Sequence, residues 1–232
     1  MVAIKGLEKF APKDFPGFIA STVFLAGCNF RCPYCHNPDL VVRPESLADI
    51  PRDFFLAYLD ARRGWLEGIC VSGGEPLLAD GLEELLAVIK ERGLLVKLDT
   101  NGSTPGRLEA LIRAKLVDKL ALDMKASFKR YPEVTRSEVP TAEIERSLEI
   151  IRETRTETVF RTTVVPGLVG PEDIREISRR LSGAAVFQIQ SFSPFNTLDP
   201  ETSKIKPFSR DDILAMAKIA QPHFDEVRVE GL

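Results

Sequence analysis

The feature that most restricts the fold of this chain is a regular alternation of apolar, β-rich runs with helical patterns. Six such runs occupy residues 18–27, 68–74, 94–102, 117–125, 157–167 and 184–192, and a last short run follows at 226–230. Amphipathic segments such as DGLEELLAVIKERG and TAEIERSLEIIRE separate them. Strands that alternate with helices form parallel βα units rather than a sandwich or a bundle. The alternation therefore predicts an α/β fold, with loops at 134–140 and 195–208.

Length and composition predict one globular domain. A chain of 232 residues, 44% of them hydrophobic, buries roughly 70% of its unfolded surface as a single unit. No apolar run reaches membrane-spanning length, and MVAIKGLEKF does not have the pattern of a leader peptide. Thirty-one basic and thirty-four acidic residues give a net charge of -3 without a Lys/Arg block, which disfavours nucleic-acid binding. We therefore expect a cytoplasmic protein that binds neither nucleic acid nor a membrane.

Three of the four cysteines lie in one short segment, CNFRCPYCHN, at residues 28–37. Cys28, Cys32 and Cys35 are too close for a disulfide framework and favour a metal or redox role in a reducing compartment. A closed structural zinc site needs four ligands, and the fourth candidate, His36, directly follows Cys35. Iron–sulfur clusters usually have four cysteine ligands. Three cysteines therefore predict a four-iron cluster with one iron open to a non-protein ligand, and a zinc knuckle is the alternative.

Polar residues follow the predicted strands, where the sequence reads SGGEP, DTNG, DMK, VVPG and QIQSFSP in turn. The carboxyl ends of parallel strands are where α/β folds gather their sites. Residues i and i+2 of a strand share a face, which pairs Asp99 with Asn101 and Asp123 with Lys125. These pairs predict a polar site, although surface ion pairs or turn capping explain each motif alone equally well.

The cysteine segment and the glycine turn after the second run both resemble motifs of a known family. Cys28, Cys32 and Cys35, with Tyr34 before the last cysteine, resemble the signature of the radical S-adenosylmethionine (radical SAM) enzymes. Gly73-Gly74-Glu75-Pro76 resembles the methionine-binding glycine turn of that family. The resemblance implies a [4Fe–4S] cluster on the three cysteines, with SAM on the open iron. Together with the element count, it predicts a partial parallel (β/α)6 barrel. It also implies a single radical SAM domain over residues 1–232, with a core at about 15–192 and a C-terminal extension at 193–232.

Further motifs resemble the branch of this family that activates glycyl radical enzymes. DTNG and DMK resemble its SAM-binding elements, and Asp14-Phe15-Pro16-Gly17 resembles its D-x-P-G segment, in which the aspartate lies near the polypeptide substrate. The SAM contacts that the resemblance implies are Tyr34, His36, Gly73, Gly74, Glu75, Asp99, Thr100, Asn101, Asp123, Lys125, Arg161 and Gln190. No general acid or base is expected, because the cluster and SAM carry the chemistry.

Two differences between this sequence and other glycyl radical activases bear on which enzyme it activates. Gln188 and Gln190 stand near the end of the sixth run, where many pyruvate formate-lyase activases have a histidine. Cys70 alone lies between the cysteine segment and the glycine turn, where insert-containing activases carry many cysteines. We read Cys70 as a buried apolar residue, and Phe54, Phe55, Tyr58 and Trp65 as the core face of a helix and its edge.

With pyruvate formate-lyase activases and insert-containing activases disfavoured, the chain resembles the activating protein of anaerobic ribonucleoside-triphosphate reductase. The resemblance implies that reductase as partner and flavodoxin or ferredoxin as electron donor. The alternatives are an activase of pyruvate formate-lyase or another glycyl radical enzyme, a small-molecule radical SAM enzyme such as one of deazapurine synthesis, and a zinc-stabilised binding module.

Overall fold

The computed structural model describes residues 2–232. Its strands are β1 (Ile4–Glu8), β2 (Ala20–Leu25), β3 (Gly68–Gly73), β4 (Leu95–Thr100), β5 (Lys119–Asp123), β6 (Glu157–Val164), β7 (Val186–Ser191) and β8 (Glu226–Glu230). Its helices are α1 (Pro38–Val42), α2 (Arg52–Asp60), α3 (Leu82–Glu91), α4 (Pro105–Arg113), α5 (Tyr131–Thr135), α6 (Thr141–Thr154), α7 (Pro171–Arg180) and α8 (Arg210–Ala220). Short 3-10 turns lie at Pro44–Ser46, Pro76–Leu78, Phe128–Arg130, Thr202–Lys204 and Gln221–His223.

The strands follow one another in the sheet in chain order, β1 to β8, and the sheet is mostly parallel. Every predicted strand and helix is present, which confirms the α/β fold class. The chain forms two compact units. The first contains the residues up to Cys28, Asp39–Leu120 and Ala142–Glu157; the second contains Asn29–Pro38, Ala121–Thr141 and Thr158–Leu232. No helix within residues 2–232 is both long and apolar enough to cross a membrane.

In the first unit, β2, β3 and β4 run parallel and in register, so that Cys70 lies between Thr22 and Lys97. One face of these strands is apolar and completely buried; it carries Val23, Leu25, Ile69, Val71, Val96 and Leu98. Because side chains alternate along a strand, the opposite face carries Thr22, Cys70, Lys97 and Asp99. These four polar residues thus share one face of the sheet.

In the second unit, β6, β7 and β8 run parallel, with Arg161 opposite Gln188 and Thr163 opposite Gln190. The burial of β6 alternates strictly, and Phe160, Thr162 and Val164 point to its buried face. α8 begins with a capping box, in which Ser209 Oγ accepts a hydrogen bond from the Asp212 amide and the Asp212 carboxylate accepts one from the Ser209 amide.

The structure corrects the sequence prediction in three places. β1 was not predicted, because its five residues IKGLE are interrupted by a register shift between Ile4 and Gly6 and pair antiparallel with β2. Of the four aromatics predicted for the core face of a helix and its edge, Phe55 and Tyr58 are buried, but Phe54 is exposed at 50%, and Trp65, exposed at 76%, lies beyond the end of α2. Finally, the predicted loop at 134–140 begins inside α5.

Candidate active site

The glycine turn that follows β3 packs against the backbone that leads into the cysteine segment. Gly74 N donates a hydrogen bond to Leu25 O at 2.9 Å, and Glu75 N donates one to Gly27 O at 2.7 Å. A Cβ on Gly73 would lie 2.2 Å from Leu25 O, and a Cβ on Gly74 would lie 2.0 Å from Gly27 O. Only glycine fits this approach, so both glycines are needed to dock the turn beside Cys28.

Glu75 is completely buried and ties β3 to the end of β4. Its Oε1 accepts hydrogen bonds from Leu77 N (3.0 Å) and Thr100 Oγ1 (2.7 Å), and its Oε2 accepts one from Asn101 N at 2.6 Å. Charged acceptors make the stronger hydrogen bonds in proteins. Glu75 therefore fixes the DTNG segment, and Asn101 in turn donates through Nδ2 to Cys28 Sγ at 3.9 Å.

Asp99 belongs to a buried polar group on the same strands. The Lys97 ammonium forms an ion pair with Asp99 Oδ1 and lies 3.7 Å from Cys70 Sγ, while Ser72 Oγ donates to Asp99 Oδ2 at 3.4 Å. Lys97 and Asp99 are 5% and 8% exposed, so the carboxylate and the ammonium compensate each other within the fold. Cys70 is completely buried, as predicted.

Asp14 lies against the sheet of the first unit. Its Oδ2 accepts a hydrogen bond from Thr22 Oγ1 at 2.5 Å. Thr22 is completely buried and pairs in register with Cys70. The polar face of this sheet therefore presents Asp14, Thr22, Cys70 and Lys97 in neighbouring positions. The role of Asp14 in positioning a polypeptide substrate stays a prediction.

In the second unit, Asp123 is held between two cations. Arg161 Nε lies 2.7 Å from Asp123 Oδ1, and Lys125 Nζ lies 3.0 Å from Asp123 Oδ2. Burial opposes ionisation of Asp123, but the two cations outweigh it and hold the pKa of the carboxyl far below its usual range. Asp123 also raises the pKa of the buried Lys125 ammonium. The arrangement is a fixed charge cluster, and Arg161 is a member of it rather than a free surface charge.

Two tyrosines hold the backbone that follows β5. Tyr131 Oη accepts a hydrogen bond from Lys125 N at 3.2 Å and donates to Asp123 O at 3.4 Å, and Tyr34 Oη donates to Lys125 O at 3.4 Å. Both rings are buried, and burial raises the pKa of both hydroxyls. They are therefore neutral donors and acceptors that orient the charged segment.

His36 and Gln190 complete the predicted contacts of the second unit. Burial, together with Lys125, lowers the pKa of His36, so its ring is neutral at pH 7. Gln190 Oε1 accepts from Thr163 Oγ1 at 3.4 Å, and its Nε2 donates to Glu230 Oε2 at 3.3 Å. The amide of Gln190 is thus fixed between neighbouring strands.

The cysteine segment offers the donor chemistry of an iron–sulfur centre. None of the four cysteines, all of which lie within the described residues, forms a disulfide; Cys28 belongs to the first unit, and Cys32 and Cys35 belong to the second. Burial raises the pKa of Cys35, so a thiolate there calls for a compensating positive centre. Within residues 2–232, no three His, Cys, Asp or Glu side chains are grouped closely enough to hold a metal ion as they stand. The donor types fit a cluster, and the ligand role of the three cysteines stays a prediction.

The sequence analysis did not single out three residues that contact predicted site residues. Lys97 pairs with Asp99, Tyr131 holds Asp123 and Lys125, and Glu230 accepts from Gln190. Lys97 was recognisable, because it stands two residues before Asp99 on one strand face. Tyr131 and Glu230 gave no local signal, since their contacts are made between elements distant in sequence.

Comparison with known proteins identifies the family. Residues 22–181 match the radical SAM superfamily, and this match spans most of the chain. The chain belongs to the radical SAM superfamily and, within it, to the enzymes that activate glycyl radical enzymes. The second assignment follows from a relative in Methanocaldococcus jannaschii, named "Putative glycyl-radical enzyme activating enzyme MJ1227", which is 34% identical over 99% of this chain and 96% of its own length.

Two further similarities concern the family and the fold, respectively. The pyruvate formate-lyase-activating enzyme of Clostridium pasteurianum is 36% identical over 54% of this chain, and the match spans about half the length of that enzyme, 53%. The crystal structure of Streptococcus suis SuiB bound to precursor peptide SuiA has a TM-score of 0.66 at 15% identity and covers 91% of this chain and 48% of that one. At this identity, the structural match supports the fold alone.

Proposed function

We propose that this protein is a radical SAM activating enzyme that generates a glycyl radical on anaerobic ribonucleoside-triphosphate reductase. The observation that carries the activating role is the similarity to the M. jannaschii protein along nearly the whole of both chains. When bound, a [4Fe–4S] cluster and SAM would supply a 5′-deoxyadenosyl radical through one-electron cleavage of the sulfonium, with methionine as the second product.

The protein's own groups would bind and orient these cofactors. Cys28, Cys32 and Cys35 would hold the cluster. In the first unit, the proposed SAM-binding residues are Gly73, Gly74, Glu75, Asp99, Thr100 and Asn101. In the second unit they are Tyr34, His36, Asp123, Lys125, Arg161 and Gln190.

Charge placement gives two of these residues defined tasks. Asp123 stays ionised at physiological pH because Lys125 and Arg161 compensate it, so it is a suitable acceptor for hydroxyl or amino groups of SAM. Glu75 directs its oxygens to backbone and side-chain donors of its own unit, so we assign it the positioning of Asn101.

The choice of the reductase as partner rests on what the chain does not share with other activases. It matches only about half of the pyruvate formate-lyase-activating enzyme. In place of a histidine on β7 it carries Gln188 and Gln190, both of which donate to Glu230. Pyruvate formate-lyase is the second candidate partner, because the identity across the shared half is as high as 36%. We assign electron supply to flavodoxin or ferredoxin.

Anaerobic electron paramagnetic resonance distinguishes the partners. The reconstituted protein is mixed with SAM, a reductant and either anaerobic ribonucleotide reductase or pyruvate formate-lyase from the same source. We expect a glycyl radical doublet on the reductase and none on the lyase. A doublet on the lyase alone would replace the proposed partner. SAM cleavage stimulated by neither protein but by a nucleobase precursor would favour small-molecule chemistry instead.

Variants test the assigned roles. Cys32→Ala is expected to lose the cluster and all SAM cleavage. Asp14→Ala is expected to cleave SAM but to activate its partner poorly, and Thr22→Val should share this defect because it removes the hydroxyl that holds Asp14. Full partner activation by both Asp14→Ala and Thr22→Val would remove the proposed role of Asp14.

A further inference from the structure

The cysteine segment has little secondary structure of its own, so its backbone must find partners elsewhere. Within residues 29–37, Cys35 N donates to Cys32 O, and backbone groups of Arg31, Pro33 and His36 bond outside the segment. Arg31 N donates to Thr135 O at 2.7 Å, Pro33 O accepts from Asp199 N at 2.9 Å, and His36 O accepts from Asn196 Nδ2 at 3.3 Å. These three groups lie on either side of the predicted ligands Cys32 and Cys35.

Two of the three partners belong to one short segment, residues 196–199, which we call the strap. The strap lies in the long loop between β7 and α8. Its two flanking anchors are Phe192 and Thr202, which are 3% and 4% exposed. No residue between these anchors is buried. The strap is therefore held by polar contacts rather than by a packed apolar side chain, which places it among the segments that open at low free energy.

An ion pair connects the strap to the helix that holds the other side of the segment. Arg136 Nη2 lies 2.7 Å from Asp199 Oδ2, and Arg136 directly follows Thr135, whose carbonyl accepts from Arg31. Asp199 also accepts from Glu201 N through Oδ1 at 3.0 Å. One carboxylate thus fixes the strap to α5 and orders the turn that follows it.

The backbone of the strap suits this task. Asn196 has a φ of 54°, a left-handed conformation that asparagine adopts more readily than most residues. In this conformation its side-chain amide reaches His36 O. The neighbouring Phe195 is 81% exposed and adds no buried contact.

We propose that the strap is a latch on the cysteine segment, and that Arg136 and Asp199 are positioning residues which keep it closed and so slow the loss of the cluster. The proposal rests on the proposed function in one respect only, namely that the segment holds a cluster. Closure itself is a property of the protein's own hydrogen bonds.

The test compares Arg136→Met, which removes the ion pair, with Arg136→Lys, which keeps the charge. Asn196→Gly removes the amide donor and retains a residue suited to the left-handed conformation. The matched control is Arg175→Met, which breaks a surface ion pair to Glu172 within α7 of the same unit. Urea midpoints of all variants are measured first, and a midpoint unchanged from that of the parent protein shows that the fold is intact.

Two readouts follow. Amide hydrogen exchange is measured on the full chain without cluster, at residues 29–37 and 196–202. Its rate is expected to rise about two- to fivefold in Arg136→Met, because the loss of an exposed ion pair changes an opening equilibrium by about that factor. Asn196→Gly should do the same, and Arg136→Lys and Arg175→Met should match the parent protein. In the reconstituted holoenzyme, cluster loss to an anaerobic chelator, followed by visible absorbance, should accelerate by a similar factor in the same two variants.

Unchanged exchange in Arg136→Met, or equal acceleration in Arg175→Met, would overturn the latch. Faster exchange with unchanged cluster loss would overturn its role in cluster retention. If the parent protein takes up no cluster at all, the proposed function fails, and the exchange experiment still decides whether the strap is a latch.

Discussion

Replacing Glu75 with glutamine isolates the contribution of one buried charge at the centre of the first unit. The exchange preserves shape, so no cavity and no clash arise. It converts one of the two carboxylate oxygens into an amide that can only donate. Leu77 N, Thr100 Oγ1 and Asn101 N all donate to the carboxylate oxygens of Glu75, so at least one of these donors must face the new amide.

The magnitude follows from these contacts. If Oε1 stays on Leu77 and Thr100, the buried Asn101 amide loses the Glu75 oxygen that accepts from it, which is worth about 1–3 kcal/mol. The two remaining hydrogen bonds change from charged to neutral acceptors and lose about 0.5–1 kcal/mol each. We expect a total loss of about 2–5 kcal/mol in the free energy of unfolding. For a chain of this size, 1 kcal/mol corresponds to about 2–4 °C, so the melting temperature should fall by roughly 4–20 °C.

Urea denaturation of the cluster-free protein under anaerobic conditions measures this loss, with Thr100→Val as a companion that removes the hydrogen bond from Thr100 Oγ1 to Glu75 and the one that Thr100 Oγ1 accepts from Gly102 N. The double variant should lose less than the sum of the two single variants, because both changes weaken the same Thr100–Glu75 contact. A Glu75→Gln protein with the stability of the parent and no affinity for SAM would refute the reasoning. Glu75 would then act on SAM directly rather than through Asn101.

Three further perturbations test other contacts. Gly74→Ala should lower the free energy of unfolding by about 3 kcal/mol or more, because its Cβ would meet Gly27 O at 2.0 Å. The control Gly106→Ala, with open space around it in α4, should raise it by about 0.5–1 kcal/mol. Equal urea midpoints of the two variants would contradict the close approach at Gly74. Asp123→Asn should lose about 3 kcal/mol by leaving two cations uncompensated. Because the pKa of Asp123 is depressed by folding, that difference should stay constant at neutral pH and shrink only below about pH 4, as urea titrations against pH will show. Tyr131→Phe, which keeps the ring and loses two hydroxyl contacts, should lose about 1 kcal/mol; no change in urea midpoint would show that the hydroxyl does not hold the backbone after β5.

The sequence was sufficient for the fold because its signals are local and repeated. Each predicted helix and strand appears in the structure, since periodicity and turn residues agree along the chain. β1 escaped prediction because a short antiparallel strand with an internal irregularity is specified by its pairing with β2 rather than by its own pattern. Trp65 was placed on a helix edge, but α2 ends at Asp60, and the tryptophan lies in the turns beyond it.

The site was predictable only where positions close in sequence determine it. Asp123 and Lys125 form an ion pair because they stand two residues apart at the end of β5, Asp123 as its last residue and Lys125 just beyond it. The glycines of the turn were assigned to SAM, and the structure adds a reason internal to the protein, namely the approach to Leu25 and Gly27. The strap could not be anticipated, because its bonds to the cysteine segment join residues more than 150 positions apart.

The proposed function requires that this protein remove a hydrogen atom from a glycine of its partner, and isotope transfer follows that atom. Anaerobic ribonucleoside-triphosphate reductase is prepared with glycine deuterated at the α-carbon and mixed anaerobically with the reconstituted protein, SAM and a reductant. Mass spectrometry then measures deuterium in the 5′-deoxyadenosine formed. We expect one deuterium in each 5′-deoxyadenosine molecule that is formed together with a glycyl radical. Unlabelled 5′-deoxyadenosine in the presence of a folded, labelled partner would show that the hydrogen atom does not come from glycine.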